Sequence, residues 1–322
     1  MDKYYTAKTD TRRCLRYLPG QFTRLPNRYY TFRYGGIDFF ALDSNTINEP
    51  LPLPDTKEGQ VYRLSLQKRR SELEREQQKI RETSEKLNPN KPSDAEQIDD
   101  LQSNLSQIEE MIVDIEKQLN TPRNTVVDTE QLEWLKQRLI NSWNSSEVRG
   151  RVVYFHHPPY VTEATKCQQA QTLAVRSRIR KVLNAVASEV NFLTQGRPIV
   201  DLVLNGHAHC MEHIETLDTN NADSNINWIV CGGSGHSLRR QRKEGADLCN
   251  YFPISDEKES KIIARSHLFL GRNGSGSHKR RPYSGLRIDV KEGTPPKFVV
   301  KPLVAERYQR EWHQPKIESF TI

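Results

Sequence analysis

Two short stretches place histidines where a folded chain can use them for chemistry. Val152-Val153-Tyr154-Phe155 reads as a buried strand and runs into His156-His157-Pro158-Pro159-Tyr160. Val203-Leu204-Asn205 reads the same way and passes through Gly206 into His207-Ala208-His209. Loops at the carboxyl ends of strands are where α/β sheets usually build ligand sites. Gly206 suits the tight turn and close backbone approach that such a loop needs. An H-x-H on a short extended stretch can aim its imidazoles at neighbouring metals or at two sides of one site. Imidazole serves Zn, Fe, Mn and Co alike, so the ring does not name the metal. Taken singly, each motif also suits a hydrogen-bonded structural histidine.

The elements that must hold these loops alternate between strand and helix. β-Branched and aromatic content predicts strands at Tyr29–Tyr34, Ile37–Leu42, Arg151–Phe155, Ile199–Leu204, Asn227–Cys231, Gly285–Val290 and Lys297–Leu303. Helices are expected at Asp128–Asn141 and Lys166–Val190, the second from Leu173, Val175, Ile179, Val182, Leu183 and Val186. Strand–helix–strand order argues for α/β layering, and the late run of strands adds an antiparallel edge.

Residues 58–120 interrupt this pattern. Leu66, Leu73, Ile80 and Leu87 recur every seven residues in a highly charged run. After the breaker Asn88-Pro89-Asn90-Lys91-Pro92, Ser93-Asp94-Ala95-Glu96 reads as a capping box. Ile98, Leu101, Leu105, Ile108, Ile112, Ile115 and Leu119 then alternate three- and four-residue steps, the pattern of a coiled-coil seam. Residues 58–87 carry 8 basic and 6 acidic side chains, and residues 93–119 carry 1 and 8. Oppositely charged arms favour pairing, so an antiparallel helical hairpin projecting from the body is expected. Each arm would reach about 40 Å at ~1.5 Å per residue. It is either a docking arm for a partner or a decoration packed on itself.

Composition narrows the class. The 322 residues allow two domains or one large domain with an insertion. Mean hydropathy is −0.77, and no apolar run approaches the ~20 residues that span a bilayer. No apolar leader follows Met1, and the five scattered cysteines suit a reducing compartment, so a cytoplasmic location is expected. Net charge is +7 overall, yet residues 58–120 hold 10 basic and 14 acidic side chains. The basic remainder, with clusters at Arg239–Lys243 and His278–Arg281, favours anionic partners, with nucleic acid a weakly supported candidate.

Four blocks in order resemble the calcineurin-like metallophosphoesterases: Tyr29–Ser44, Gln131–Lys136, the HHPPY block at His156 and the NGHAH block at Asn205. Ile229–Gly235 resembles the strand and glycine turn that follow in that family. The resemblance spans about residues 28 to 304 and implies a four-layer αββα sandwich. It implies two divalent metals (Mn, Fe, Zn or Co) that grip a phosphate ester and a bridging water, which attacks phosphorus in line. His156 then matches the lone histidine ligand, sharing a metal with His207, and His209 matches a ligand of the other metal. His157 and Tyr160 are candidates for the substrate mouth, and Asp43 for a structural role.

The chain departs from the family pattern in one respect. It contains no D-x-H, no Gly-Asp and no Gly-Asn, so the bridging carboxylate, the Asn ligand and the leaving-group histidine are missing. The expected fold is therefore an incomplete αββα sandwich, with the missing motifs upstream or on another chain. Its parts are residues 1–57, the inserted hairpin 58–120, the remainder of the phosphoesterase-like body 121–304, and a tail 305–322. Three histidines alone should bind metal poorly and give negligible hydrolysis. The alternative function is a non-catalytic module that binds a partner through the hairpin and the basic surface.

Overall fold

The computed structural model describes residues 5–8, 14–17, 28–235, 237–249, 261–275, 278–308 and 311–322. Among the described residues the strands are β1 (Tyr5–Lys8), β2 (Cys14–Tyr17), β3 (Tyr30–Tyr34), β4 (Ile37–Ala41), β5 (Gly150–Phe155), β6 (Leu202–Asn205), β7 (Met211–Thr216), β8 (Asn227–Cys231), β9 (Asp247–Cys249), β10 (Ile262–Leu270), β11 (Tyr283–Val290), β12 (Phe298–Tyr308), β13 (Glu311–His313) and β14 (Phe320–Thr321). The α-helices among them are α1 (Lys57–Ser84), α2 (Pro92–Leu119), α3 (Thr129–Trp143) and α4 (Ala170–Thr194).

An eight-stranded mixed sheet runs β3-β4-β5-β6-β8-β7-β10-β9. Its centre, β4-β5-β6-β8, is parallel, and the flanking pairs are antiparallel. Parallel strands covered on both faces read as continuous apolar runs, and alternate residues supply opposite cores. Val153 and Val203 face α3 and α4, packing with Leu135, Leu139, Ile179 and Val186. Their neighbours Val152 and Leu202 face the other way, onto Phe298 and Val300 of the second sheet. That sheet has the order β11-β12-β13, with β14 also paired to β12. The layering is helix, sheet, sheet. Among the described residues no helix residue enters the core between the sheets.

Residues 305–308, 311–313 and 320–321, within the stretch expected as a tail, pair in the second sheet. β12 continues to Tyr308, and Phe320 and Thr321 pair back onto Val300 and Val299. The capping box at Ser93 does not form. α2 starts at Pro92 with Lys91 as N-cap, because proline fits the first helical turn, where its missing N–H costs nothing. Asp94 instead accepts from the Asn88 backbone at 3.2 Å.

α1 and α2 lie side by side in opposite directions. Arg63 reaches the Leu119 carbonyl (3.2 Å), Arg70 pairs with Glu116 (3.0 Å), and Gln77 reaches Glu109 (3.4 Å). Leu73, Ile108 and Ile115 are buried between them. α2 does not project from the body, however. Arg272, Lys279 and Arg281 hold Asp99 and Asp100, while Lys166 and Arg239 hold Glu110.

Asp114 binds α2 most intimately to the body. Its Oδ2 accepts from the Ala170 backbone N–H at 2.9 Å, and Ala170 opens α4, whose own N-cap Gln169 makes no side-chain cap bond. A residue of the inserted hairpin thus caps the helix that follows the histidine loop. Asp114→Ala should lower stability at pH 5, where the buried carboxyl is neutral and still accepts this bond, by about 0.5–2 kcal/mol, as for other lost N-caps. Asp114→Asn, which keeps an acceptor, should retain most of it. Urea midpoints indistinguishable between wild type and the Ala variant would show that α2 merely lies alongside.

Candidate metal centre

β5 and β6 are adjacent and parallel, with Phe155 opposite Asn205, so the next residues on each strand emerge side by side. The Asn205 side chain donates to the Phe155 carbonyl (2.9 Å) and the Gly206 N–H to the His156 carbonyl (3.0 Å). A Cβ at Gly206 would lie 3.3 Å from His156 Nδ1, so glycine lets the two loops close on each other. His207 then adopts φ +60°, and the Ala208 N–H donates to the Gly206 carbonyl across it at 2.7 Å. A γ-turn of that hand is rare and strained for a residue with a side chain, and such strain concentrates at functional sites.

The result is a group of three imidazoles. One nitrogen each from His156, His157 and His207 lies within 4.8 Å of the others. His207 Nδ1 is 3.2 Å from His156 Nε2, and His207 Nε2 is 2.9 Å from the Gln171 amide nitrogen. The Gln171 amide donates, so His207 carries its proton on Nδ1 and donates to His156. Asn48 donates to His157 Nε2 at 3.1 Å, which leaves His157 Nδ1–H to donate to Ser44 Oγ at 2.9 Å. Burial, then the Lys166 charge, pushes His207 down to about 2. Burial, then His156 and Lys166, pushes His157 down to about 4, and burial followed by Lys166 lowers His156. All three rings are neutral at pH 7, the form that ligates metal.

The site residues expected from sequence fall in different places. His156 and His207 come together, with His207 Nδ1 3.2 Å from His156 Nε2. His157 is buried at the third position of the cluster and does not open onto a mouth. His209 does not join the three, and its Nδ1–H donates to the Ser237 carbonyl at 3.0 Å, making Nε2 the acceptor nitrogen. Tyr160 lines no mouth either. It is fully buried, 5.0 Å from the Trp228 ring, with its hydroxyl donating to Asp223. Asp43 caps the 3-10 turn Ser44–Thr46 by accepting from the Asn45 N–H. Sequence reasoning missed Ser44, Asn48 and Gln171. Only Ser44, which closes the Tyr29–Ser44 block, left any signal.

These three donors can serve one divalent ion, and a pair would need donors beyond them. Three neutral imidazoles plus water is an ordinary set for a single catalytic zinc-like ion. A pair needs a bridging carboxylate, and the cluster contains none among the described residues.

No protein-family model matches the chain, and no curated protein matches it. Among solved structures it is similar to PhoD, at 15% identity and a TM-score of 0.39, over 91% of this chain and 41% of that one. It is similar to purple acid phosphatase PPD1 from yellow lupin (Lupinus luteus) seeds, at 11% identity and 0.37, over 93% and 34%. It is also similar to GAP50, the anchor in the inner membrane complex of Plasmodium, at 13% identity and 0.32, over 91% and 56%. The chain thus spans about a third to just over half of those chains. With every TM-score below 0.5, the reading that follows rests on the chain's own residues.

Proposed function

We propose that this chain carries a hydrolase site of the calcineurin-like metallophosphoesterase kind, acting on a phosphate ester. The observation that carries the reading is the meeting of neutral His156, His157 and His207 at the carboxyl ends of two adjacent parallel strands. An ion held by these three rings would supply a Lewis acid and lower the pKa of a bound water. The chain's own residues prepare the rings: Ser44 orients His157, while Asn48 and Gln171 occupy the His157 and His207 Nε2 lone pairs and would give them up to an ion. In this reading His209 Nε2 belongs to a second metal position that needs donors beyond these histidines, so turnover is slow. Residues 58–120 are an inserted coiled-coil hairpin in a phosphoesterase-like body. Cys167, Cys210, Cys231 and Cys249 are free thiols, which fits a reducing compartment. The acidic face of α2 is engaged by the body's own cations, so the alternative of a free partner-binding arm has less support.

The test is a titration of the metal-stripped chain with Co²⁺ at pH 7.5, followed by assay on bis(4-nitrophenyl) phosphate. One Co²⁺ should bind per chain, at least tenfold more weakly after His156→Ala or His207→Ala. Slow hydrolysis should vanish with chelator and with His207→Ala. Cobalt uptake indifferent to both substitutions, or hydrolysis indifferent to chelator, would overturn the reading.

A further inference from the structure

Beside the histidines, Glu110 of α2 sits in a built seat. Its Oε1 accepts from Lys166 Nζ and from Gln169 Nε2 (2.9 Å), and its Oε2 lies 3.4 Å from Arg239 Nη2. Lys166 and Arg239 are 7% and 9% exposed and come from two separate loops, Lys166 before α4 and Arg239 after β8. Two nearly buried cations are costly without an anion, so the seat demands one. Gln169 Oε1 in turn accepts from the Gln171 amide at 2.6 Å, and that same amide lies 2.9 Å from His207 Nε2. The seat therefore adjoins the histidine cluster through two glutamines.

The number of donors decides what the seat fits. Asp114 and Glu163 also share the charge of Lys166, but the Glu110 carboxylate has only two oxygens for three donor side chains, and Oε1 serves two of them. A phosphate group brings up to two charges and a third oxygen, and matches Lys166, Arg239 and Gln169 together. The carboxylate arrives on an inserted helix whose far end is clamped separately, with Asp99 and Asp100 held by Arg272, Lys279 and Arg281. The two anionic ends of α2 lie about 16 Å apart at ~1.5 Å per residue.

We propose that Lys166, Gln169 and Arg239 form a phosphate-binding seat next to the histidine cluster, and that Glu110 occupies it as an intramolecular stand-in, so the hairpin holds the site closed. The proposal rests on the phosphoesterase reading for the identity of the ligand, but its test is independent of hydrolysis and of metal.

The experiment measures binding of inorganic phosphate to the full chain by calorimetry, at pH 7.5, low salt and with chelator present. Relative to wild type, Glu110→Gln should tighten phosphate binding at least tenfold, and Glu110→Ala serves the same purpose should the first variant fold poorly. Adding Lys166→Met to either should return binding to the wild-type level or below. Asp100→Asn frees cations at the other end of α2 and should change phosphate affinity less than twofold. Unchanged affinity in both Glu110 variants, or an equal gain from Asp100→Asn, would overturn the seat. Adding His207→Ala to Glu110→Gln should leave phosphate binding intact. Failed cobalt uptake beside intact phosphate binding would therefore count against the metal reading and leave the seat standing.

Discussion

Urea unfolding of the metal-free chain should show wild type losing more stability between pH 7.5 and pH 5 than a His157→Asn/His207→Gln variant. The sign follows from the protons. In the unfolded chain each imidazole takes up its proton near pH 6.5. In the fold, burial with the His156 and Lys166 charges holds His157 down to about 4, and burial with Lys166 holds His207 down to about 2. Between those values the unfolded state binds more protons, so the contribution is fully present above pH 6.5 and is lost as pH falls. At about 1.4 kcal/mol per unit, and with each ring giving up the span from about 6.5 to 5, two histidines should separate the variants by about 4 kcal/mol at pH 5. Wild type alone would hide this. Burial raises Asp114 to about 6 and Glu212 to about 7, and each carboxyl favours the fold as pH falls. Both carboxyls remain in the variant, so the difference isolates the rings. Parallel pH profiles would mean that the imidazoles are solvated and charged, and that the cluster is not poised for a metal.

What the sequence reveals of this site, and what it hides, divides along physical lines. A β-branched run ending in histidine marks a strand and its carboxyl-end loop, because burial on both faces dictates composition. Gly206 marks the close approach to the His156 loop for an equally local reason. Which imidazoles meet is decided by the turn at His207. A φ of +60° there breaks the extended geometry, and His209 ends on the Ser237 carbonyl while His157 takes the third place. No spacing rule carries that information. β10 was missed for a related cause. Its pairing with β7 shifts register between Ser266 and Leu268, so the alternation that would announce a strand changes phase within it. The acidic bias of α2 was visible, but charge lacks the register that an apolar seam has. Glu116 pairs with Arg70 of α1, whereas Glu110, Asp99 and Asp100 pair with loops far along the chain.

Asp223→Ala should destabilise the chain more than any substitution in the histidine cluster, by about 3–5 kcal/mol, the usual cost of removing one partner from a buried ion pair. Asp223 is 1% exposed. Its Oδ2 accepts from the Tyr160 hydroxyl and from Arg180 Nε (2.9 Å), and its Oδ1 accepts from Thr219 (2.5 Å). Arg176, itself buried, stacks over the Tyr160 ring at 4.5 Å and donates to the Pro159 carbonyl at 2.8 Å. The Pro158-Pro159 turn thus sends Tyr160 back into the core, where its hydroxyl needs a partner and two arginines need an anion. One carboxylate meets both needs, so its loss leaves uncompensated positive charge against Trp228 and α4. Tyr160→Phe removes two hydrogen bonds, the one to Asp223 and the one from Arg180 Nη2, and because Asp223 keeps Arg180 through Nε it should cost about 1–2 kcal/mol. Neither substitution touches the imidazoles, so Co²⁺ affinity should stay within twofold in both. The two measurements together decide the role of Tyr160. Were it a substrate-mouth residue, Tyr160→Phe would alter hydrolysis and leave the urea midpoint where it was, and that outcome would sink the structural assignment.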